Sequence, residues 1–231
     1  MRNYIVYDNT QPTRWEESTP VGNGRLGATM MCGVDEEVLY LNEETVWSSH
    51  NCGVPNPNMA DKLAAIRQLF LDGKPIEGDK LAIESFGDCF SRIRSYETAG
   101  TLHIGLHDNA RCKNYRHELD LVKGIASVSY DKDGSHYTRE FFASAPDDVM
   151  VWRVTSSNAP LNAWINFQRE YTLSVESEGN TLCAVATTVF GNHKFCVKAQ
   201  VITDGKVTCC DGDLYVSDTR CFTVLITIAT Q

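Results

Sequence analysis

The chain has 231 residues, an ordinary apolar fraction of 42% and a formal net charge of −9. That length suits one large domain or two small ones, with enough apolar residues for a sizeable core. An acidic balance spread along the chain argues against nucleic acid, which needs a basic stripe, and against an anionic membrane surface.

In chain order, Tyr4-Ile5-Val6-Tyr7 reads as a short strand, followed by a polar turn through Pro12. The stretch from Trp15 to Trp47 then organises everything around it. Trp15-Glu16-Glu17 leads into Pro20-Val21-Gly22-Asn23-Gly24-Arg25-Leu26-Gly27, where the glycines suit a sharp turn with a close backbone approach. Two strands are expected next, 28–33 and 38–41, joined by an acidic turn, Val34-Asp35-Glu36-Glu37. The letters G-x-G-x-x-G occur at 22–27, but a dinucleotide site needs a strand before the glycines and a helix opening on them. Ser18-Thr19-Pro20 does not read as a buried strand, and a strand-like run follows, so no nucleotide site is assigned.

Residues 48–58 are loop, rich in Asn, Gly and Pro. A helix is predicted over about 59–72, with Met59, Leu63, Ile66, Leu69 and Phe70 on one face and Gly73 as its stop. A second covers about 76–86, giving a helical hairpin that reads as a structural flap over one side of a sheet. From residue 101 the texture is that of strands: 101–107, 125–130, 135–143 and 149–154, with a hairpin turn at Asp131-Lys132-Asp133-Gly134. Short alternating runs continue at 163–168, 171–176, 181–189, 194–203, 206–209, 213–217 and 221–229. Many short strands with frequent turns imply a large mainly β, antiparallel sandwich, read as a single domain over 1–231. The final run, Cys221 to Ala229, is apolar to its end, which reads as a cut at a domain boundary.

Nine cysteines are irregularly spaced and form no C-x-x-C pair, so a zinc ribbon has no support. Several lie inside apolar runs, as Cys196 does, where a thiol acts as a small hydrophobe. They read as reduced thiols of a cytoplasmic protein. A vicinal disulfide at Cys209-Cys210 is disfavoured by its geometry. Residues 1–8 lack the apolar core of a signal peptide, and no run approaches the ~18 apolar residues of a membrane span.

The order of motifs is itself informative. Trp15-Glu16-Glu17, the 20–27 glycine segment and Leu41-Asn42-Glu43-Glu44-Thr45-Val46-Trp47-Ser48 come first. Ile66-Arg67-Gln68-Leu69 with Asp72-Gly73-Lys74, Tyr96-Glu97-Thr98-Ala99-Gly100-Thr101-Leu102, Tyr115-Arg116-His117-Glu118-Leu119 and Tyr137-Thr138-Arg139-Glu140-Phe141-Phe142 follow. This series resembles the N-terminal domain of glycoside hydrolase family 95, the α-L-fucosidases and related α-L-galactosidases, over roughly residues 4–230. The resemblance implies a β-supersandwich of the galactose-mutarotase type. In the family it is followed by a linker and an (α/α)6 barrel that carries the catalytic residues of an inverting hydrolase. That barrel is not in this chain, so the resemblance transfers no catalytic residue. It implies the barrel as partner and fucosylated or related oligosaccharides as substrates of the parent enzyme. Thr98 and Thr101 depart from the family pattern, where Pro and Asp are expected.

Inverting hydrolysis needs two carboxyl groups about 6.5–9.5 Å apart, and retention about 5–5.5 Å. Adjacent acids in a strand face opposite ways, so neither Glu16/Glu17 nor Glu43/Glu44 is a ready pair. A cross-pair of Glu16 with Glu43 is the alternative that would make this chain an enzyme by itself. The plainer reading is that these carboxylates accept hydrogen bonds from backbone and from Arg25. Trp15 and Trp47, with Asn23, Arg25 and Asn42, suit a domain interface, the rim of a sugar pocket or plain core packing. A stand-alone carbohydrate-binding module is a further alternative. His103 and His107 share a strand face, with Asp108 next, but solvated or cross-strand-paired imidazoles are the commoner use. No metal and no cofactor are expected.

Overall fold

The structure, a computed structural model, describes residues 4–48, 59–86, 95–106, 111–191 and 193–231. It forms two compact units, one of Met1–Trp47 with Tyr96–Gln231, the other Ser48–Ser95. The larger unit is a two-sheet antiparallel β-sandwich.

Its strands run in chain order. β1 (Ile5–Asp8), β2 (Thr19–Gly22), β3 (Leu26–Met30) and β4 (Glu36–Glu43) precede the smaller unit. β5 (Gly100–Gly105), β6 (Lys113–Asp120), β7 (Ile125–Lys132), β8 (Ser135–Ser144), β9 (Val149–Ser156) and β10 (Leu161–Gln168) come after it. β11 (Thr172–Glu178), β12 (Thr181–Thr187), β13 (Lys194–Thr203), β14 (Lys206–Cys210), β15 (Asp213–Thr219) and β16 (Cys221–Thr230) complete the unit. One sheet has nine strands in the order β1-β6-β7-β8-β9-β16-β13-β12-β11; the other has seven, β14-β15-β10-β5-β4-β3-β2.

Alternation explains both sheets. Leu39 and Leu41 in β4, Leu102 and Ile104 in β5, and Phe222, Val224, Ile226 and Ile228 in β16 are buried, while their sequence neighbours point outward. The two inner faces meet in one core whose largest member is Trp152 of β9, packed on Phe222 with ring centroids 5.6 Å apart. The turn at 131–134 is a two-residue hairpin loop, with Asp133 and Gly134 both at positive φ.

Three expectations need correction. Thr19-Pro20-Val21-Gly22 is a strand, β2, and Pro20 fits because β2 is the edge of its sheet. The glycine segment is the sharp turn expected of it, here joining β2 to β3, and a strand rather than a helix follows. Glu36 and Glu37 belong to β4, not to the turn, and Glu37 faces the core. Lys113–Asp120, rich in charge, is also a strand, β6, where the sequence pattern announces none.

The smaller unit holds α1 (Met59–Leu71) and α2 (Pro75–Phe86). Gly73 at φ +74 ends α1, with its N–H on Phe70 O and that of Lys74 on Leu69 O, and Pro75 opens α2. Gly78 lets the helices close: a Cβ there would lie 2.8 Å from the Phe70 ring. The predicted loop over 48–58 falls, after Ser48, outside the described residues.

Candidate functional site

The β2–β3 turn is built by Asn23. Its side-chain oxygen accepts the N–H groups of Arg25 (3.0 Å) and Leu26 (2.8 Å), and its amide donates to Ser144 O at 2.9 Å. Gly24, at φ +102, supplies the backbone that no other residue adopts cheaply. This geometry projects Arg25 between two carboxylates. Its Nη1 donates to Glu43 Oε1 at 3.1 Å and to Ile228 O at 3.0 Å; Nε and Nη2 grip Asp148 at 2.9 and 2.6 Å.

Glu43, at the inward-facing end of β4, is buried. Its second oxygen accepts the Thr45 N–H (2.8 Å) and hydroxyl (2.7 Å), and that hydroxyl meets Thr230 Oγ1 at 2.8 Å. Tyr96 donates to Glu43 O at 3.0 Å, and the Trp47 indole N–H donates to Glu44 O at 2.9 Å. The Trp47 and Tyr96 rings meet edge-on at 5.3 Å, and Trp47 is 39% exposed.

Arg25 thus ties three segments of chain together. The Asp148 hydrogen bond, and then Glu43, raise the Arg25 pKa, while Arg25 holds Asp148 below the usual carboxylate range. Asp148 therefore contributes stability above about pH 4 that is lost as pH falls through its lowered value. Both carboxylates already serve Arg25, so neither stands ready as a general acid. Arg25→Ala would leave Glu43 buried without its cation. The expected loss is about 2 kcal/mol, below the value for a fully enclosed pair because Arg25 is partly solvated, and it is read as a shift in the urea midpoint.

Of the residues singled out in the sequence, Asn23, Arg25, Glu43 and Trp47 come together. Asn42 lies on the opposite, outward face of β4, across from Gly27. Trp15 and Glu16 lie elsewhere, in an exposed 3-10 turn, Trp15–Glu17, with Trp15 54% exposed. There Glu17, not Glu16, makes the bonds, accepting the Thr13 N–H at 2.8 Å and the Arg14 guanidinium at 3.0 Å.

The register rules out the Glu16–Glu43 pair. Thr19 pairs with Met30 and Met30 with Leu39, so the Trp15 turn adjoins the end of β4 opposite to Glu43. From Leu39 to Glu43 alone is about 13 Å at strand rise, beyond an inverting pair.

His103 pairs across the sheet, with Nδ1 2.5 Å from Glu36 Oε1 and Nε2 3.0 Å from the Thr101 hydroxyl. His107 and Asp108 fall outside the described residues. Seven cysteines are described, all free, including Cys209 and Cys210.

Sequence reading missed a second cluster deep in the core. Arg139 of β8 and Glu37 of β4 form an ion pair between the two sheets at 3.1 Å, each side chain 0% exposed. Glu37 also accepts the Cys32 N–H at 2.7 Å, and the Tyr115 hydroxyl donates to Cys32 O at 2.7 Å. Arg139 lies over the Tyr130 ring, 5.4 Å from its centroid, and its Nε and Nη2 have no hydrogen-bond partner among the described residues. Burial pushes the Cys32 thiol up to about 12, which keeps it an inert hydrophobe.

Burial also pushes the Glu37 carboxyl up to about 7, against the pull of Arg139 and the Cys32 N–H. An acid with a folded pKa above its unfolded value holds its proton more tightly when folded. Stability from this group is therefore greatest below about pH 4.5 and falls as pH rises to about 7. Glu37→Gln should flatten that slope in urea midpoints measured from pH 5 to 8; an unchanged slope would assign it to other groups.

Comparisons with known proteins extend the geometry. The family model described as "Glycosyl hydrolase family 65, N-terminal domain" matches residues 7–231. "Alpha-L-fucosidase 2" of Arabidopsis thaliana is 34% identical over 164 residues, covering 69% of this chain and 19% of that protein. "Probable alpha-fucosidase A" of Aspergillus niger is 28% identical over 174 residues, 71% of this chain and 21% of that protein. The chain thus spans about a fifth of the length of these curated relatives. Among solved structures, "Putative kojibiose phosphorylase from human microbiome" aligns with 99% of this chain and 32% of its own at a TM-score of 0.53. Its 7% identity makes that a likeness of fold.

Proposed function

We infer the function from the family: the chain belongs to the glycosyl hydrolase family 65 N-terminal domains. Within that setting it is the non-catalytic N-terminal domain of an inverting α-L-fucosidase-like hydrolase, of the kind grouped in glycoside hydrolase family 95. The 1–231 segment acts as one accessory domain that packs on an (α/α)6 barrel and helps shape its active-site mouth. The parent enzyme acts on fucosylated or related oligosaccharides.

The observation that carries this reading is the Arg25 clamp. It commits the Glu43 and Asp148 carboxylates to structure, and beside it Tyr96, bonded to Glu43 O, meets the exposed Trp47 ring. A domain that docks needs a rigid aromatic anchor, while one that hydrolyses needs two unspent facing acids. The motif series and the fucosidase names of the relatives support the finer family. The free thiols support a reducing compartment, and we place the chain in the cytoplasm.

The test is co-purification of this chain with the helical segment encoded downstream of it, expressed as a separate polypeptide. A stable complex weakened by Trp47→Ala is expected. A reading frame that stops after Gln231, or a downstream segment that does not associate, would contradict the proposal.

A further inference from the structure

The outer face of the seven-stranded sheet carries a second constellation, separate from the Arg25 clamp. Along β10 the outward residues are Asn162, Trp164, Asn166 and Gln168. Facing them on β5 are Gly105 opposite Trp164, His103 opposite Asn166 and Thr101 opposite Gln168; Tyr215 of β15 pairs with Trp164 on its other side.

Trp164 lies against Gly105 so closely that a Cβ there would sit 2.1 Å from the indole. Only glycine allows this. The ring is laid down on the sheet with 36% of the residue still exposed, beside Tyr215 at 43%. These two aromatics line a cleft of about 410 Å³ with Asn162 and Ser217.

At the other end of the same β5–β10 ladder, Thr101, Gln168, Glu170 and Tyr171 line an open cleft of about 610 Å³. Tyr171 is exposed, at φ +62. From Trp164 to Gln168 is about 13 Å at strand rise, so the two clefts end one continuous strip.

The chemistry of the strip restricts its ligand. Arg169, at the Tyr171 end, is paired with Glu97 at 2.6 Å, and the His103 ring meets Glu36. Lys206 of β14, across from Ser217, is exposed at the aromatic end and Glu170 lies at the other, so among the described residues an anionic ligand finds one lysine and no cluster of cations. The amides of Asn162, Asn166 and Gln168 flank Trp164 and run along β10 towards Tyr171, which suits a ligand both hydroxylated and apolar on its C–H faces.

We propose that this strip binds a neutral oligosaccharide, stacked on Trp164 and Tyr215 and hydrogen-bonded along β10 towards Tyr171. The inference goes beyond the accessory-domain reading and does not depend on it. Binding by the isolated chain tests the strip, whereas association with the barrel tests the reading.

The experiment is calorimetric titration of the 231-residue chain with 2′-fucosyllactose, maltotetraose and cellotetraose, with tryptophan fluorescence as a second signal. Saturable binding of at least one is expected. Trp164→Ala should weaken it about tenfold or more, and Trp47→Ala should leave it unchanged. Gln168→Ala, at an exposed position that folding does not need, should also weaken binding and guards against a misfolded Trp164 variant. No heat with any of the three sugars, or wild-type affinity retained in both Trp164→Ala and Gln168→Ala, would overturn the proposal.

Discussion

Replacing Arg139 by Met should destabilise the sandwich by about 3–5 kcal/mol at pH 8, because it leaves the Glu37 carboxylate buried without its cation. Both groups are wholly enclosed, so water cannot take the place of the lost partner. The penalty should shrink at pH 5, where Glu37, already pushed up to about 7 by burial, takes a proton in the folded state. Glu37→Leu and Arg139→Met together should recover most of the loss, since the desolvation of two charges disappears with the pair. Urea unfolding of the wild type, both single variants and the double variant, at pH 5 and pH 8, measures all of this. A single-variant loss under about 1 kcal/mol, or a double variant worse than both singles, would mean the two groups do not depend on each other.

Trp152→Ala should cost about 3–5 kcal/mol, the range for removing a large aromatic from a packed core. Trp152 is 0% exposed and stacks obliquely on Phe222 in the neighbouring strand, so its removal opens a cavity that β-sheet backbone cannot collapse into. For a chain of this size that corresponds to a melting temperature lower by on the order of 10 °C. Trp152→Phe should cost far less, about 1–2 kcal/mol, for a second reason. The indole N–H has no hydrogen-bond partner among the described residues, so phenylalanine removes an unsatisfied donor along with some volume. Thermal unfolding followed by circular dichroism separates the two. Equal losses for Ala and Phe would show that the indole N–H is satisfied in solution.

What the sequence revealed, and what it hid, follows from how far apart in the chain each interaction reaches. Alternation in β8, β13 and β16 is a property of neighbours, and those strands were legible to within a residue or two. The helical hairpin was legible for the same reason, from one apolar face, Gly73 and Pro75. Asn23, Arg25, Glu43 and Trp47 were found together because they sit on consecutive strands joined by tight turns. Trp15 and Glu16 were wrongly grouped with them. Strand direction carries that turn to the far end of the sheet, and nothing in a linear motif announces a direction.

Asp148 was missed because its bond to Arg25 spans 123 positions. The Glu37–Arg139 pair spans 102, yet a local signal existed. Glu37 shares parity with Leu39 and Leu41, and Arg139 with Tyr137 and Phe141, all of which point inward. Two opposite charges at inward positions of two strands already imply that they meet.

The proposed function divides the labour: this domain anchors, and a helical barrel carries the reacting acids. Turnover of an aryl α-L-fucoside tests it most directly, measured on the 231-residue chain alone and on the full polypeptide encoded by the reading frame. No turnover by the isolated chain and clear turnover by the longer polypeptide is the expected result. Hydrolysis by the isolated chain that disappears in Glu43→Gln would contradict it.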